Sequence, residues 1–381
     1  MTNYLIRRAL QGILTLFLML TAAFFLVQLI MPGDYVSQFS MFLTGPEREA
    51  LREQLGLNLP LHVRYIQWLG RTLTLDFGMS LSGQPVGSLI VNSASISVLV
   101  FATGLLVSYS LGRWLGTLTA WRGRTFSTDV TTFGVVAFYA FFPPALAFIL
   151  DAIFARSLGL FPANSELFLL RFAEDFQVGP GVYLPRMMLG LLGISALVLV
   201  GSEVLRRRTR RRVPGVVQVT LIFGLWAASW FAMGFGAQGL RLLWWMAIPI
   251  AAFIMLSLGE IMVISRTSMA DTILEQYVET AKAKGLPDRI VRSKHAARNA
   301  QLPVLSKLVV SLPYLLAGLI IIEYSLNLPG MGTALFGAVS VQDYPIVQGF
   351  LLVIGVVTLL ARLLLDVMYA LLDPRIRFAN S

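Results

Sequence analysis

Four acids stand inside apolar stretches of this chain: Asp151, Glu260, Glu323 and Asp366, with Arg362 one helical turn before the last. A charge in hydrocarbon costs about 2.5–3.5 kcal/mol at the centre of a span, so such groups are candidates for ion or proton relays or for solute contact. Arg362 and Asp366 stand at i, i+4 and are expected to pair with each other. Asp151 and Glu323 fall near the outer ends of their stretches, where water is expected to solvate them, and Glu260 near an inner end. Pro143-Pro144 is expected to kink a further stretch, and carbonyls freed by proline can line a cavity. Catalytic sets are missing from the sequence. It has no Gly-x-x-x-x-Gly-Lys-Ser/Thr phosphate loop, no Gly-x-Ser-x-Gly and no His-Glu-x-x-His. It has no cysteine, and its two histidines, His62 and His295, are too few and too far apart for a metal site.

The elements that must position these groups are membrane spans. Of 381 residues, 56% are hydrophobic and only 13% charged, about half the charge of a soluble domain. Apolar runs near the 20 residues a spanning helix needs occur at about 9–31, 96–119, 130–154, 187–205, 213–235, 242–264, 304–324 and 347–372. The expected fold is therefore an all-α integral membrane protein, a polytopic helical bundle of about eight spans. Most Lys and Arg fall on one side: Arg7 and Arg8, Arg122 and Arg124, the arginine run 206–212, the segment 266–303, and Arg375 and Arg377. The positive-inside rule then makes both termini cytoplasmic. The net charge of +10 reflects this topology, and without interleaved aromatics the arginine run suits anionic lipid and not nucleic acid. The first run is too long for a signal peptide and reads as a retained span.

Two outer segments are expected, 32–91 and 157–181. The first holds a short amphipathic helix from Pro46, closed by Gly56. The segment 266–303 is polar, basic and placed between two spans. Ile273, Leu274, Tyr277, Val278 and Ala281 recur at spacings of three and four, which predicts one helical face over 271–284. Ser268 and Asp271 have capping-box spacing, Gly285 and Pro287 stop the helix, and Pro287 can open a second helix over 288–299. Pro303 is expected to mark where the next span begins. The residues alone leave two readings open, a partner-docking surface and an amphipathic helix lying on lipid headgroups.

The pattern Glu279-x-Ala281-x-x-x-Gly285, then His295-x-x-Arg298-Asn299-Ala300-x-Leu302-Pro303, resembles the cytoplasmic "EAA" loop of ABC-importer permeases. Its form is similar to the B-type subunits of the dipeptide/oligopeptide/nickel permease family. Thr280 stands where alanine is usual. Further similar features follow in family order: Tyr4-Leu-Ile-Arg-Arg8, Pro32-Gly-Asp34, Leu55-Gly-Leu57, Asp76-Phe-Gly78, Pro329-Gly-Met-Gly332, Asp343-Tyr-Pro345 and Asp373-Pro-Arg375.

The resemblance implies a six-span type I importer core, with residues 166–241 adding a helical hairpin. The expected organisation is 1–31 first span, 32–95 extracytoplasmic region, 96–165 core spans, 166–241 inserted hairpin, and 242–381 core with the coupling loop 265–303. It implies that Glu279, Thr280, Ala281, Lys282, Ala283, Gly285, Leu286, His295, Arg298, Asn299, Leu302 and Pro303 form an ATPase-coupling loop. Pro143, Pro144, Glu323, Pro329, Gly330 and Asp343 are candidates for the pathway or its gating. Implied partners are a related C-type permease, two ATPases, an extracytoplasmic solute-binding protein and membrane lipid. ATP and Mg would be bound by the ATPases, and this chain would carry no cofactor and no enzymatic activity. The expected location is a bacterial or archaeal plasma membrane, and the cargo a peptide, nickel, glutathione, a sugar or another small solute. An ion- or proton-coupled secondary transporter, using the buried acids as relays, is the alternative.

Overall fold

The computed structural model describes residues 2–30, 36, 42–54, 56–80, 83–162, 180–209, 213 and 215–372, and of 361–372 the backbone only. Among them regular structure is helical, apart from one isolated antiparallel bridge between Met79 and Pro85. In chain order the helices are α1 (Thr2–Ile30), α2 (Gly45–Gln54), α3 (Leu61–Leu73), α4 (Val86–Arg122), α5 (Phe126–Ala140) and α6 (Pro143–Leu150). After α6 comes a π-helical turn, Asp151–Ser157. There follow α7 (Pro180–Thr209), α8 (Gly215–Ala232), α9 (Gly236–Trp245), α10 (Ala247–Ile273), α11 (Gln276–Ala283) and α12 (Asp288–Ile290). A second π-helical turn, Val291–Ala296, leads into α13 (Ala297–Ser325), then α14 (Met331–Ser340) and α15 (Tyr344–Leu372).

Five described helices, α1, α4, α7, α10 and α13, are long and apolar enough to cross a bilayer. The chain is an all-α polytopic membrane protein. The third predicted span is not one rod but two pieces, α5 and α6 with its π-turn, bent by 106°. The reason is local. Pro143 and Pro144 supply no N–H, so the Tyr139 and Ala140 carbonyls lose their helical donors. Phe142, before a proline, is confined to extended backbone (φ −65°, ψ 119°), and Phe141 joins it (φ −69°, ψ 143°). The helix α8 and the stretch Tyr344–Leu360 of α15 are apolar but shorter.

The chain forms two compact units, 1–94 with 333–381 and 95–332, the boundary falling inside α4. In the first, α1 packs along α15 through glycines. A Cβ on Gly12 would lie 2.2 Å from Leu359, and one on Gly355 2.5 Å from Met19. Small residues permit such approach between apolar helices, where dispersion rather than water drives contact. Phe24, Phe25, Tyr65 and Trp68 tie α3 to α1, with Phe24 and Trp68 ring centres 5.0 Å apart and the Tyr65 and Thr21 hydroxyls 2.7 Å apart.

In the second unit, α4 lays a seam of small residues, one per helical turn, along α10. A Cβ on Gly104 would come within 2.5 Å of the Phe253 ring, on Gly112 within 2.9 Å of Ile261, and on Gly116 within 2.6 Å of the Met262 carbonyl oxygen. Between them the Ser257 hydroxyl donates to Ser108 at 2.9 Å. On another side of α10, Gly259 admits Tyr139 of α5. The pair α7–α8 is held by the Trp226 indole N–H donating to the Met187 carbonyl at 2.8 Å, with Trp226 and Trp230 edge to face. Leu184, Met187, Leu191, Ile222, Trp226 and Trp230 share one core with Leu99, Leu146 and Phe253. Elsewhere α7 exposes Leu189, Leu192, Leu197 and Val200, a surface suited to lipid.

Candidate functional site

The polar segment between α10 and α13 folds into a small body with its own core. Met269, Val278, Ala281, Val291, Ala296 and Ala300 are buried together, and Ala120 and Trp121 from the end of α4 pack against them. The helix α10 ends at Ile273, Glu275 turns extended (φ −74°, ψ 138°), and α11 begins at Gln276. The predicted single helix over 271–284 is therefore broken. In consequence Leu274 leaves the apolar face and is 81% exposed, and Tyr277 is exposed too, while Val278 and Ala281 face inward. Ser268 is not a cap either. It lies inside α10, buried, and its hydroxyl donates to the Ala300 carbonyl at 2.7 Å, clamping the segment's two roots together.

The corner after α11 is set by Gly285, whose N–H donates to the Lys282 carbonyl at 2.9 Å and whose φ is +73°. Glycine reaches that left-handed region without the Cβ conflict other residues meet. Pro287 caps α12, its carbonyl accepting from Ile290 at 2.8 Å and Val291 at 3.1 Å. The predicted second helix over 288–299 is instead a short turn, a π-helical turn and the first residues of α13. Pro303 consequently lies within α13, not at its start. The Lys282 ammonium sits 5.2 Å over the Trp121 ring, a second tie to α4.

Of the residues expected to couple, Glu279, Thr280, Lys282, Ala283, Gly285, Arg298, Asn299 and Pro303 are exposed. Ala281 is buried, Leu286 packs half-buried on the small core, and His295 is half-buried. The Leu302 side chain lies outside the described residues. The segment thus exposes two large apolar side chains, Leu274 and Tyr277, together with the charged Glu279, Lys284, Asp288 and Arg289. Ser268, Trp121 and Met269, which hold this body, carry no signal at sequence level because their partners are distant in the chain.

The acids are placed differently from expectation. Asp151 and Glu323 are buried, not solvated. Arg156 Nε donates to Asp151 at 2.8 Å, a pair five residues apart that the π-helical turn brings together. The Glu323 carboxylate accepts the Gly332 N–H at 2.7 Å, while the Ser97 hydroxyl accepts the Met331 N–H at 2.8 Å. A Cβ on Gly330 would come within 2.5 Å of the Glu323 carboxylate, so the Pro329–Gly332 turn closes directly over that acid. In the other unit Asp343 is buried, with its N–H donating to the Ala338 carbonyl at 2.8 Å. Pro143 and Pro144 open α6 after the bend. The side chains of Arg362 and Asp366 lie outside the described residues. Among the described residues no group of three or more His, Cys, Asp or Glu could hold a metal ion.

Residues 184–378 match the family described as "Binding-protein-dependent transport system inner membrane component", and residues 1–84 match its N-terminal counterpart. A Brucella ovis protein named "Putative peptide permease protein" is 31% identical over 382 aligned positions, covering 99% of each chain. A "Glutathione transport system permease protein" of Salmonella choleraesuis is 28% identical, covering 99% of this chain and all of its own. The protein of that name in Escherichia coli K12 is 27% identical with the same coverage.

Proposed function

The chain belongs to the family of inner-membrane components of binding-protein-dependent transport systems, and from that premise we propose that it forms half of the translocation pathway of an ATP-driven importer of peptides. Membership makes it a permease subunit of an ABC importer. The cargo class comes from the names of its relatives, a peptide permease and a glutathione permease. The observation that supports the coupling role is the Gly285 corner, part of a segment that has its own small core and exposes Leu274, Tyr277 and charged side chains.

In this reading the segment is cytoplasmic, and two ATPases dock on it, one on this chain and one on a related C-type permease. A solute-binding protein delivers cargo to the opposite side. ATP and Mg are held by the ATPases, and this chain moves without catalysing. Closure of the ATPases pulls the corners together and switches the permease pair between two discrete states. Residues 166–241 are a peripheral hairpin added to a six-span core, with both termini cytoplasmic.

Co-purification and energetics test the proposal together. The chain isolated from native membranes should carry ATPase subunits, and uptake should stop on ATP depletion while surviving an ionophore. A lone chain whose transport collapses with the ionophore would identify a secondary transporter instead.

A further inference from the structure

Helix α3 carries three faces, each repeating at spacings of three and four. Tyr65 and Trp68, which hold α1, share a face with buried Thr72. Ile66, Leu69 and Leu73 form one flank, and Arg64, Gln67 and Arg71 form the opposite one. Ile66 is 65% exposed and Leu73 78%, although both are large and apolar. The helix closes in a Schellman turn, the Asp76 N–H donating to the Arg71 carbonyl at 2.9 Å and the Leu75 N–H to the Thr72 carbonyl at 3.1 Å. Leu75 fills the left-handed position, φ +58°, that glycine usually takes, and its side chain is 73% exposed. In water this end would combine a strained backbone with two bare leucines.

What surrounds α3 follows from its depth beside α1. The apolar run of α1 is Leu10–Leu29, which at 1.5 Å per residue matches the ~30 Å hydrocarbon core of a bilayer. The Tyr65 hydroxyl meets Thr21, eight residues and therefore about 12 Å short of the end of that run. The Trp68 ring lies 5.0 Å from Phe24 and the Tyr65 ring 5.5 Å from Phe25, about 6–8 Å short of the same end. Interfacial helices bury an apolar side about 5–10 Å into the boundary between headgroups and acyl chains, with basic residues on the polar side. Depth and facing both match. The arginine flank favours lipid over a protein partner, because it sets two cations at phosphate level on the side away from the apolar flank.

We infer that α3 is an interfacial membrane anchor: Ile66, Leu69 and Leu73 lie among acyl chains and Arg64 and Arg71 meet lipid phosphates, in the leaflet where α1 ends. The inference requires only that α1 crosses the bilayer, and it stands whether or not the chain is half of an importer. The sequence has no cysteine, so a label can be placed at one site at a time. Ile66→Cys, Leu73→Cys, Gln67→Cys and Arg71→Cys would each carry the environment-sensitive fluorophore NBD. Each variant is the full chain, monodisperse in nanodiscs of phosphatidylethanolamine and phosphatidylglycerol. Labels at Ile66 and Leu73 should shift to the blue, lose most of their emission to lipids brominated on the acyl chain, and resist iodide. Labels at Gln67 and Arg71 should lose emission to iodide and little to the brominated chains. Iodide quenching at all four positions places α3 in water and overturns the inference. Protection of Ile66 and Leu73 from both quenchers means that protein covers the flank, and overturns it equally.

Discussion

Substitution at Gly285 separates backbone conformation from space. A Cβ built there meets nothing within 4 Å, so alanine introduces no collision, and the whole penalty comes from φ +73°. For an L-residue the left-handed conformation costs about 1–2 kcal/mol. If that cost falls on the corner-formed state, the fraction of molecules ready to dock drops by roughly 5–30-fold, and the apparent affinity for the ATPases weakens in proportion. Gly285→Asn should lose least, because asparagine tolerates this region, Gly285→Ala should be intermediate, and β-branched Gly285→Val should lose most. The assay is the affinity of the permease pair in nanodiscs for its ATPases, alongside solute imported per ATP hydrolysed. Uptake should fall more steeply than ATP hydrolysis, with insertion into the membrane unchanged. Equal effects of the three substitutions, or wild-type coupling in Gly285→Val, would refute the conformational argument.

Other predictions concern what supports the corner and the seam. Ser268→Ala leaves the Ala300 carbonyl without its clamp (2.7 Å) and should cost about 1–3 kcal/mol, visible as faster proteolysis at Arg289, Arg292 and Lys294. Gly116→Leu drives side-chain atoms into the Met262 carbonyl (2.6 Å from a Cβ), and overpacking of about 1–3 kcal/mol or more should appear as lower yield and a lower unfolding temperature. A Lys282/Trp121 double-mutant cycle should give about 0.5–1 kcal/mol for the cation over the ring. Outside the spans, the Thr44 hydroxyl and N–H donate to Glu47 and hold its carboxyl below the ordinary value. That capping contact is fully present above the ordinary carboxylate pKa and disappears as pH falls through the lowered one. Hydrogen exchange at the start of α2 should rise across that interval, and Glu47→Gln should abolish the pH dependence.

The chain's membrane class and the helix–corner–helix character of 266–303 were legible because hydropathy and the Gly285, Pro287 pair are local signals. Details that depend on tertiary contact were not. The Ser268–Asp271 spacing matches a capping box, yet α10 continues through it, and the Ser268 hydroxyl donates to the distant Ala300 carbonyl. Five apolar positions suggested one face, but the break at Leu274–Glu275 rotates Leu274 outward. Pro143-Pro144 announced a kink, and its size, 106°, follows from two consecutive missing donors together with the pre-proline restriction at Phe142. Glu323 looked solvated from its position near a helix end. Its burial depends on Gly330 and Gly332, whose missing side chains let a turn cover it.

The glycine seam between α4 and α10 bears on how force travels. With helix backbones in direct contact at Gly112 and Gly116, no flexible side chain lies between them to absorb a displacement. From Gly104 to Trp121, α4 is a strut about 25 Å long at 1.5 Å per residue, and its far end is packed into the core under the Gly285 corner. Contacts at Gly104, Ser108, Gly112 and Gly116 run along most of that length, so α4 and α10 are set to move as one body when the corner is displaced. The seam thus joins the core under the corner to the length of α4 and α10 with no compliant layer of side chains between them.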